Sequence, residues 1–373
     1  MNLIFTCGGT AGHINPAIAV ANTIRERHPD AKILFIGATG HMEEKLVPQA
    51  GYALKCLPGS GLSRGKNLAA IKKNLHAVKC VLDGVKQCRK IFREFQPDVV
   101  IGTGGYASFP ALYAAQTMKI PTCVHESNAV PGVTTKLAAR KASRVLVAFE
   151  ESVAHYAKPD QVEVVGMPVR KEFLFDTKEK ARKTLGLSGH VVVSAFGSQG
   201  AKVMNETIAD MMALEQKDGF PFHHIHATGS FGKEWMPQRV KDNGVDWEKE
   251  PRLDIREYIF DMPEEMAAAD VIIGRAGSAT CNEIAVSGTP CVLIPSPNVT
   301  NNHQEKNARV LEAAGGAVVL LEKDCTPQLL YDTIRQLLAD EDRRAEMSRN
   351  LRSQVRLDSA ERICDIVEAL SER

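Results

Sequence analysis

Gly8, Gly9, Gly12 and His13 stand within "FTCGGTAGHINP", residues 5 to 16, between an apolar run and a helical pattern. Glycines in such a turn let backbone amides converge, and a helix starting there adds its positive end, so the natural occupant is an anion such as a phosphate. His13 opens that helix. A positive helix end disfavours the imidazolium, which leaves a neutral ring able to take a proton near pH 7, as a general base must. A plainer reading stays open, with the glycines serving chain geometry and the histidine bonding locally. Two further turns, "GTGGYASFP" (102 to 110) and "GSQGA" (197 to 201), repeat the arrangement at other strand ends. Three anion-friendly turns suit ligands rich in phosphate. A nicotinamide fingerprint would need GxGxxG and an acidic residue at the tip of the second strand. That strand ends "FIGATGH", with no carboxylate at its tip.

The second half carries "DVIIGRAGSATCNEIAVSGTPCVLIPSP", which reads as strand, small-residue turn, helix and strand. Ala276, Gly277 and Ser278 would let backbone approach a ligand closely. Glu283, about a turn and a half into the helix, could accept both hydroxyls of a ribose, or could simply complement the helix dipole. The amide-rich "NVTNNHQEKNA" (298 to 308) offers Asn302, His303, Gln304 and Asn307 as readers of sugar hydroxyls. Alternatively, Asn301 or Asn302 caps a helix there.

These groups need a frame. Short apolar runs ("LIFTC", "KILFIG", "DVVIGTG", "TCVHE", "RVLVAF", "HVVVSAFG", "FHHIHATG", "DVIIGRAG", "PCVLIPS", "AVVLL") alternate with helical patterns. Continuous apolar strands separated by helices imply parallel sheets covered on both faces, hence an α/β fold. "LIFTCGGTAGHINPAIAVANTI" is echoed by "VVVSAFGSQGAKVMNETIADMM", so two Rossmann-like domains are expected, each starting afresh. The joint falls in "VVGMPVRKEF", where Gly166 and Pro168 break the pattern. Ligands of such folds bind at the carboxyl ends of the strands.

The 373 residues are enough for two cores, and a formal net charge of +1 gives no support to a nucleic-acid-coating or disordered chain. The nine cysteines are scattered with no CxxC pair, and read as buried free thiols of a reducing compartment. No run approaches the roughly 20 apolar residues that span a bilayer. Charge is local instead. Between Arg64 and Arg93 lie nine basic residues (Arg64, Lys66, Lys72, Lys73, Lys79, Lys86, Arg89, Lys90, Arg93) against the single acid Asp83. Leu68, Ile71, Leu75, Val78, Val81, Leu82 and Val85 recur at helical spacing, which predicts a core-facing apolar stripe with a basic back. That back suits anionic lipid headgroups. Within this stretch no aromatic residue precedes Phe92, which argues against stacking on nucleic-acid bases.

Taken in order, "GGTAGHINPAIAVA", "MEEKLVP", "PDVVIGTGGYASFPA", "HESNAVPGVTTKLAA", "VVGMPVR", "GSQGA", "GRAGSATCNEIAVSGTP" and "HQEKNA" resemble the MurG family of bacterial GT-B glycosyltransferases nearly end to end. The resemblance implies a GT-B fold, two Rossmann-like domains with parallel sheets facing a cleft. Residues 1–166 would be the acceptor and membrane domain, 167–354 the UDP-sugar domain, and the last helix, about 355–373, would pack back on the first. It implies an inverting transfer of N-acetylglucosamine from UDP-N-acetylglucosamine to the C4 hydroxyl of the muramoyl sugar of lipid I (undecaprenyl-pyrophosphoryl-MurNAc-pentapeptide). The product would be lipid II, made for peptidoglycan by a peripheral protein on the cytoplasmic side of the cell membrane.

By the same resemblance His13 is the catalytic base. Thr10, Ala11, Gly12, Asn128, Arg170, Ser198, Ile259, Ser278, Ala279, Thr280, Cys281, Asn282, Glu283, His303 and Gln304 would bind the donor, Ile259 through its backbone to uracil and Glu283 to the ribose. Gly9, Gly104, Gly105, Tyr106 and Glu126 would bind the acceptor. No obligatory cofactor or metal is implied, a divalent cation acting at most as a stimulant. The chain departs from the family pattern at Met167, Phe196 and His303.

Overall fold

The computed structural model describes residues 1–59, 68–105, 107–169, 173 and 177–372. The chain divides into two compact units, Met1–Arg170 together with Arg356–Arg373, and Lys171–Val355.

In the first unit seven strands, β1 (Asn2–Thr6), β2 (Lys32–Ala38), β3 (Ala53–Leu57), β4 (Val99–Gly102), β5 (Thr122–Glu126), β6 (Arg144–Val147) and β7 (Val162–Val164), form one parallel sheet in the order 3-2-1-4-5-6-7. Helices α1 (Ala11–Arg27), α2 (Glu43–Gln49), α3 (Leu68–Phe95), α4 (Ser108–Thr117) and α5 (Val133–Ala139) connect them. Successive residues of β1 serve opposite faces. Leu3 and Phe5 join Ile14, Val20 and Ile24 of α1, whereas Ile4 joins Val85, Cys88 and Phe92 of α3 and Leu112 of α4. Both faces are therefore dry, which is why β4 (VVIG) and the middle of β1 (LIF) read as unbroken apolar runs.

The second unit repeats the plan with β8 (Val191–Ala195), β9 (His223–Ala227), β10 (Leu253–Arg256), β11 (Val271–Gly274), β12 (Cys291–Leu293) and β13 (Ala317–Val319), in the order 10-9-8-11-12-13. Its helices are α6 (Lys178–Leu185), α7 (Lys202–Lys217), α8 (Met236–Asp242), α9 (Met262–Ala268), α10 (Ser278–Ser287), α11 (His303–Ala313), α12 (Pro327–Ala339) and α13 (Glu341–Ser353). A last helix, α14 (Ser359–Ser371), belongs to the first unit and lies against α1. Ile363, Val367 and Leu370 are buried there, each worth about 1.5–3 kcal/mol. Arg27 meets Asp365 at 2.6 Å and Glu368 at 3.4 Å, but such exposed pairs contribute at most about 1 kcal/mol. The apolar stripe holds the helix in place.

Strand order reverses between β1 and β4, and again between β8 and β11. Thr6 pairs with Gly102, and Ala195 with Gly274, so the two turns at each reversal leave the sheet side by side. Glycine turns thus stand where open α/β sheets bind their ligands.

The structure corrects the reading of α3. Its inward face is Ala77, Cys80, Gly84, Val85, Cys88 and Phe92, whereas Leu75, Val78 and Leu82 are exposed and Val81 half-buried. Close approach to α4 explains this. A Cβ on Gly84 would stand 3.1 Å from the Pro110 Cβ, so the helices approach closely at that position, and the inward face turns on Gly84 rather than on Leu75, Val78 and Leu82. The side chains of Leu68, Ile71 and Lys73, and all of Arg64 and Lys66, lie outside the described residues. The nine cysteines are free; all but the half-buried Cys56 are buried. Among the described residues no helix is long and apolar enough to cross a membrane.

Candidate functional site

In the first unit the turn after β1 runs into α1 with Thr10 at the N-cap, no side-chain cap and no acid in the first turn. The His13 amide donates to the Thr10 carbonyl at 3.0 Å, and with no acid in the first turn the positive end of the helix is unneutralised. His13 is the third helical residue, half-buried. Across from it the turn after β4 places Gly104 (φ +111°) against the imidazole, where an added Cβ would stand 2.7 Å from Nδ1. Gly105 (φ +82°) touches Gly8 backbone to backbone, its Cβ position 2.2 Å from the Gly8 carbonyl oxygen.

Two hydroxyls fasten the turns together. Thr103 Oγ1 donates to the carbonyl of His13 at 2.6 Å, and Ser108 Oγ shares its proton between the carbonyls of Gly104 at 2.5 Å and Thr6 at 3.0 Å. The structure thus brings Gly9, Thr10, Ala11, Gly12, His13, Gly104 and Gly105 into one cluster. Tyr106 and Arg170 lie outside the described residues.

The loop after β5 is organised by Glu126. Its Oε1 accepts from the Asn128 amide at 3.0 Å and from Asn128 Nδ2 at 2.8 Å, while Oε2 accepts from Gly132 at 3.1 Å. Both oxygens of this buried carboxylate accept from their own loop, Asn128 among the donors. His125 Nε2–H donates to the Gly166 carbonyl at 3.0 Å. Burial pushes the His125 imidazole below its ordinary pKa, against the opposing pull of that carbonyl and of Glu126.

In the second unit the turns after β8, β9 and β10 are joined through backbone. Ser230 donates to the Ser198 carbonyl at 3.2 Å, Phe231 to Gln199 at 3.0 Å, and Gly229 to Glu257 at 3.0 Å. Ser198 is exposed. Ile259 is buried by its side chain between exposed Tyr258 and Phe260, whose rings meet edge-on at 5.0 Å, so backbone is what this position offers a ligand. Phe196 is buried, 6.1 Å from the His226 ring and 6.0 Å from the Arg275 guanidinium.

Helix α10 begins at Ser278 after Gly277, again without a side-chain cap or an acid in its first turn. Ser278 and Cys281 are buried, and Ala279, Thr280, Asn282 and Glu283 half-buried. Burial pushes the Cys281 thiol up to about 12, which removes it from chemistry near neutral pH. Asn307, fully buried, donates Nδ2 to the Ala276 carbonyl at 3.2 Å and so ties α11 to this turn. Gln304 Oε1 accepts from the Ser296 amide at 2.8 Å, and His303 beside it is half-buried. Asn302 holds the N-cap position of α11 at φ 52° without a capping bond, and its amide turns to Glu305. Capping by Asn301 or Asn302 side chains is therefore not what starts α11.

Sequence reasoning passed over Thr103 and Ser108, and took Asn307 for a reader of sugar hydroxyls. The first two were visible as hydroxyls inside a glycine-rich strand end, where such side chains bond nearby backbone.

Residues 3–147 match the model of the glycosyltransferase family 28 N-terminal domain, and residues 191–363 that of the glycosyltransferase family 28 C-terminal domain. The chain is 41% identical over 370 residues, 99% of its length and 98% of the relative's, to a protein of Acetivibrio thermocellus named UDP-N-acetylglucosamine--N-acetylmuramyl-(pentapeptide) pyrophosphoryl-undecaprenol N-acetylglucosamine transferase. A Thermoanaerobacter sp. (strain X514) protein of the same name is 40% identical over 373 residues, the whole of both chains. The crystal structure of Acinetobacter baumannii MurG superimposes with a TM-score of 0.74 at 24% identity, covering 99% of each chain.

Proposed function

Because this chain belongs to glycosyltransferase family 28, and within it to the MurG transferases, we infer that it moves N-acetylglucosamine from UDP-N-acetylglucosamine to the muramoyl sugar of lipid I, forming lipid II. The full-length identity to transferases of that name carries this reading. The fold alone does not, since a UDP-GlcNAc 2-epimerase from Neisseria meningitidis shares it with a TM-score of 0.68 at 15% identity.

In our reading the transfer inverts the anomeric centre. His13 takes the proton of the acceptor's C4 hydroxyl as that oxygen attacks the anomeric carbon, and UDP leaves from the opposite face. The first unit supplies the base and, through Gly9, Gly104, Gly105 and Tyr106, the acceptor's pyrophosphate contacts. The second supplies the donor grip: Ser198 and the start of α10 toward the diphosphate, backbone at Ile259 toward the base, Glu283 toward the ribose, and His303 and Gln304 toward the sugar. Thr10, Ala11, Gly12, Asn128 and Arg170 complete the donor set. Helix ends and Arg170 oppose the charge that develops on the leaving diphosphate, so no metal is obligatory.

In our reading α3 gives access to a lipid acceptor. Leu75, Val78 and Leu82 are exposed beside exposed Lys72, Lys79 and Lys86, and α3 packs on α4, whose Tyr113 is also exposed. Apolar side chains rimmed by bases suit an anionic bilayer surface, where each base adds about 1 kcal/mol. We place the protein there as a peripheral component of the cytoplasmic face of the cell membrane.

Purified protein given labelled UDP-N-acetylglucosamine and lipid I in detergent should yield labelled lipid II and one UDP per transfer. Release of UDP without acceptor, together with an altered sugar, would instead identify an epimerase.

A further inference from the structure

The segment "MEEKLVP" contains a residue that the reaction described above leaves unused. Glu43 opens α2 and is fully buried. Its Oε1 accepts from the amide of Gly9, in the turn leading to His13, at 3.1 Å, and from the amide of Ala38, at the end of β2, at 3.2 Å. Its Oε2 is buried and meets no donor among the described residues. Glycines make room for it. A Cβ on Gly37 would stand 2.9 Å from the Glu43 Cγ, and one on Gly8 would stand 3.0 Å from Oε1.

The Gly8–Gly9 backbone is therefore held from two sides. Glu43 draws the Gly9 amide toward the core, with Gly9 at φ +89°, while the turn after β4 presses on Gly8 through Gly105 and Ala107. Thr10, next in the chain, is exposed, and Gly12 and His13 half-buried. A carboxylate only accepts, so it fixes which amide of the turn faces inward and leaves those that follow for an external anion. Such burial is expensive, because an unpartnered oxygen of a buried carboxylate loses its hydration without replacement. Packing alone would favour an apolar side chain of the same volume.

We propose, on the reading of the reaction given above, that Glu43 is a positioning residue for the acceptor half of the site. It acts through the Gly9 amide to set the turn that carries His13 to its place against Gly104. It touches neither substrate.

Three variants test this: Glu43→Met, which keeps volume without an acceptor; Glu43→Ala, as a second acceptor-free form should the first not fold; and Glu43→Gln, which keeps the carbonyl oxygen. Glu44→Ala, at the exposed neighbour, serves as control. Thermal melts establish which variants fold. The acceptor-free forms are expected to lose about 100-fold in turnover with lipid I, the scale on which a displacement of about 1 Å is felt. Their UDP affinity by calorimetry should stay that of the parent. Amide exchange in the peptide spanning residues 5 to 14 should accelerate in them, and be unchanged in Glu43→Gln, whose turnover should stay within about threefold.

Unchanged exchange and turnover in the acceptor-free forms would overturn the proposal. So would a Glu43→Gln enzyme as impaired as Glu43→Met, or UDP affinity falling in step with turnover. Exchange is read without substrate, so a parent protein that transfers nothing to lipid I would refute the reaction while the exchange data still decide whether Glu43 holds the turn.

Discussion

Gly104 and His13 are in contact so close that one added methyl group at position 104 would stand 2.7 Å from the imidazole Nδ1. His13 lies in the first turn of α1 and Gly104 in the turn after β4; they meet because β1 and β4 are neighbours in the sheet, and Thr103 Oγ1 ties the two segments at 2.6 Å. Gly104→Ala should therefore displace the ring and also strain a backbone at φ +111°, at a cost of about 1–3 kcal/mol. Turnover should fall about 100-fold or more. Steady-state kinetics with lipid I, run beside UDP calorimetry, checks this, and full activity in the variant would remove the contact from the account.

His13→Ala should cut turnover by about 10²–10⁴-fold, the range for a lost general base. UDP affinity should hardly change. A variant as active as the parent would dismiss His13 as base.

Glu283→Ala should act in the opposite sense, weakening donor binding by roughly tenfold or more, as expected when a charged acceptor of ribose hydroxyls is lost. Direct titration with UDP reads this without any acceptor, and unaltered affinity counts against the ribose role.

Acid should destabilise the second unit through a buried network. Ser194 Oγ meets His224 Nε2 at 2.8 Å and His226 Nδ1 at 2.7 Å, and His224 Nδ1 meets Glu215 Oε1 at 2.8 Å, all four residues being buried. Burial first, and His224 second, push the His226 pKa well below its ordinary 6.5. The unfolded chain binds that proton first, so stability is complete above about pH 6.5 and is lost as pH falls toward the lowered pKa, by up to about 1.4 kcal/mol per pH unit. Urea denaturation between pH 7.5 and 5 measures the slope. His226→Gln should flatten it.

Leu75→Ser combined with Leu82→Ser should leave the fold intact, since both side chains are exposed, and should weaken binding to vesicles containing anionic lipid. Vesicle flotation checks this, and added salt should weaken the parent as well. Undiminished flotation of the double variant would place the membrane contact elsewhere.

The central strands were legible in the sequence because a strand buried on both faces is mostly apolar, as β1, β4, β8 and β11 are. Strands β3, β7 and β10 were not, and each lies at a sheet edge. Edge strands have one flank open, so β3 mixes exposed and half-buried positions and β7 is nowhere fully buried. The glycine turns announced themselves through residues tolerant of positive φ, and with them His13.

What the chain alone determined, then, is the double α/β plan, the turns at its strand ends and the family, since these rest on local pattern and on motif order. Tertiary structure decided what each side chain faces. Glu43 reads locally as an acid in a first helical turn, where it would merely complement the dipole. Leu75 and Leu82 read as core and stand in solvent. In each case the deciding partner is distant in sequence or lies on a neighbouring element, and contacts of that kind leave no periodicity for a sequence to display.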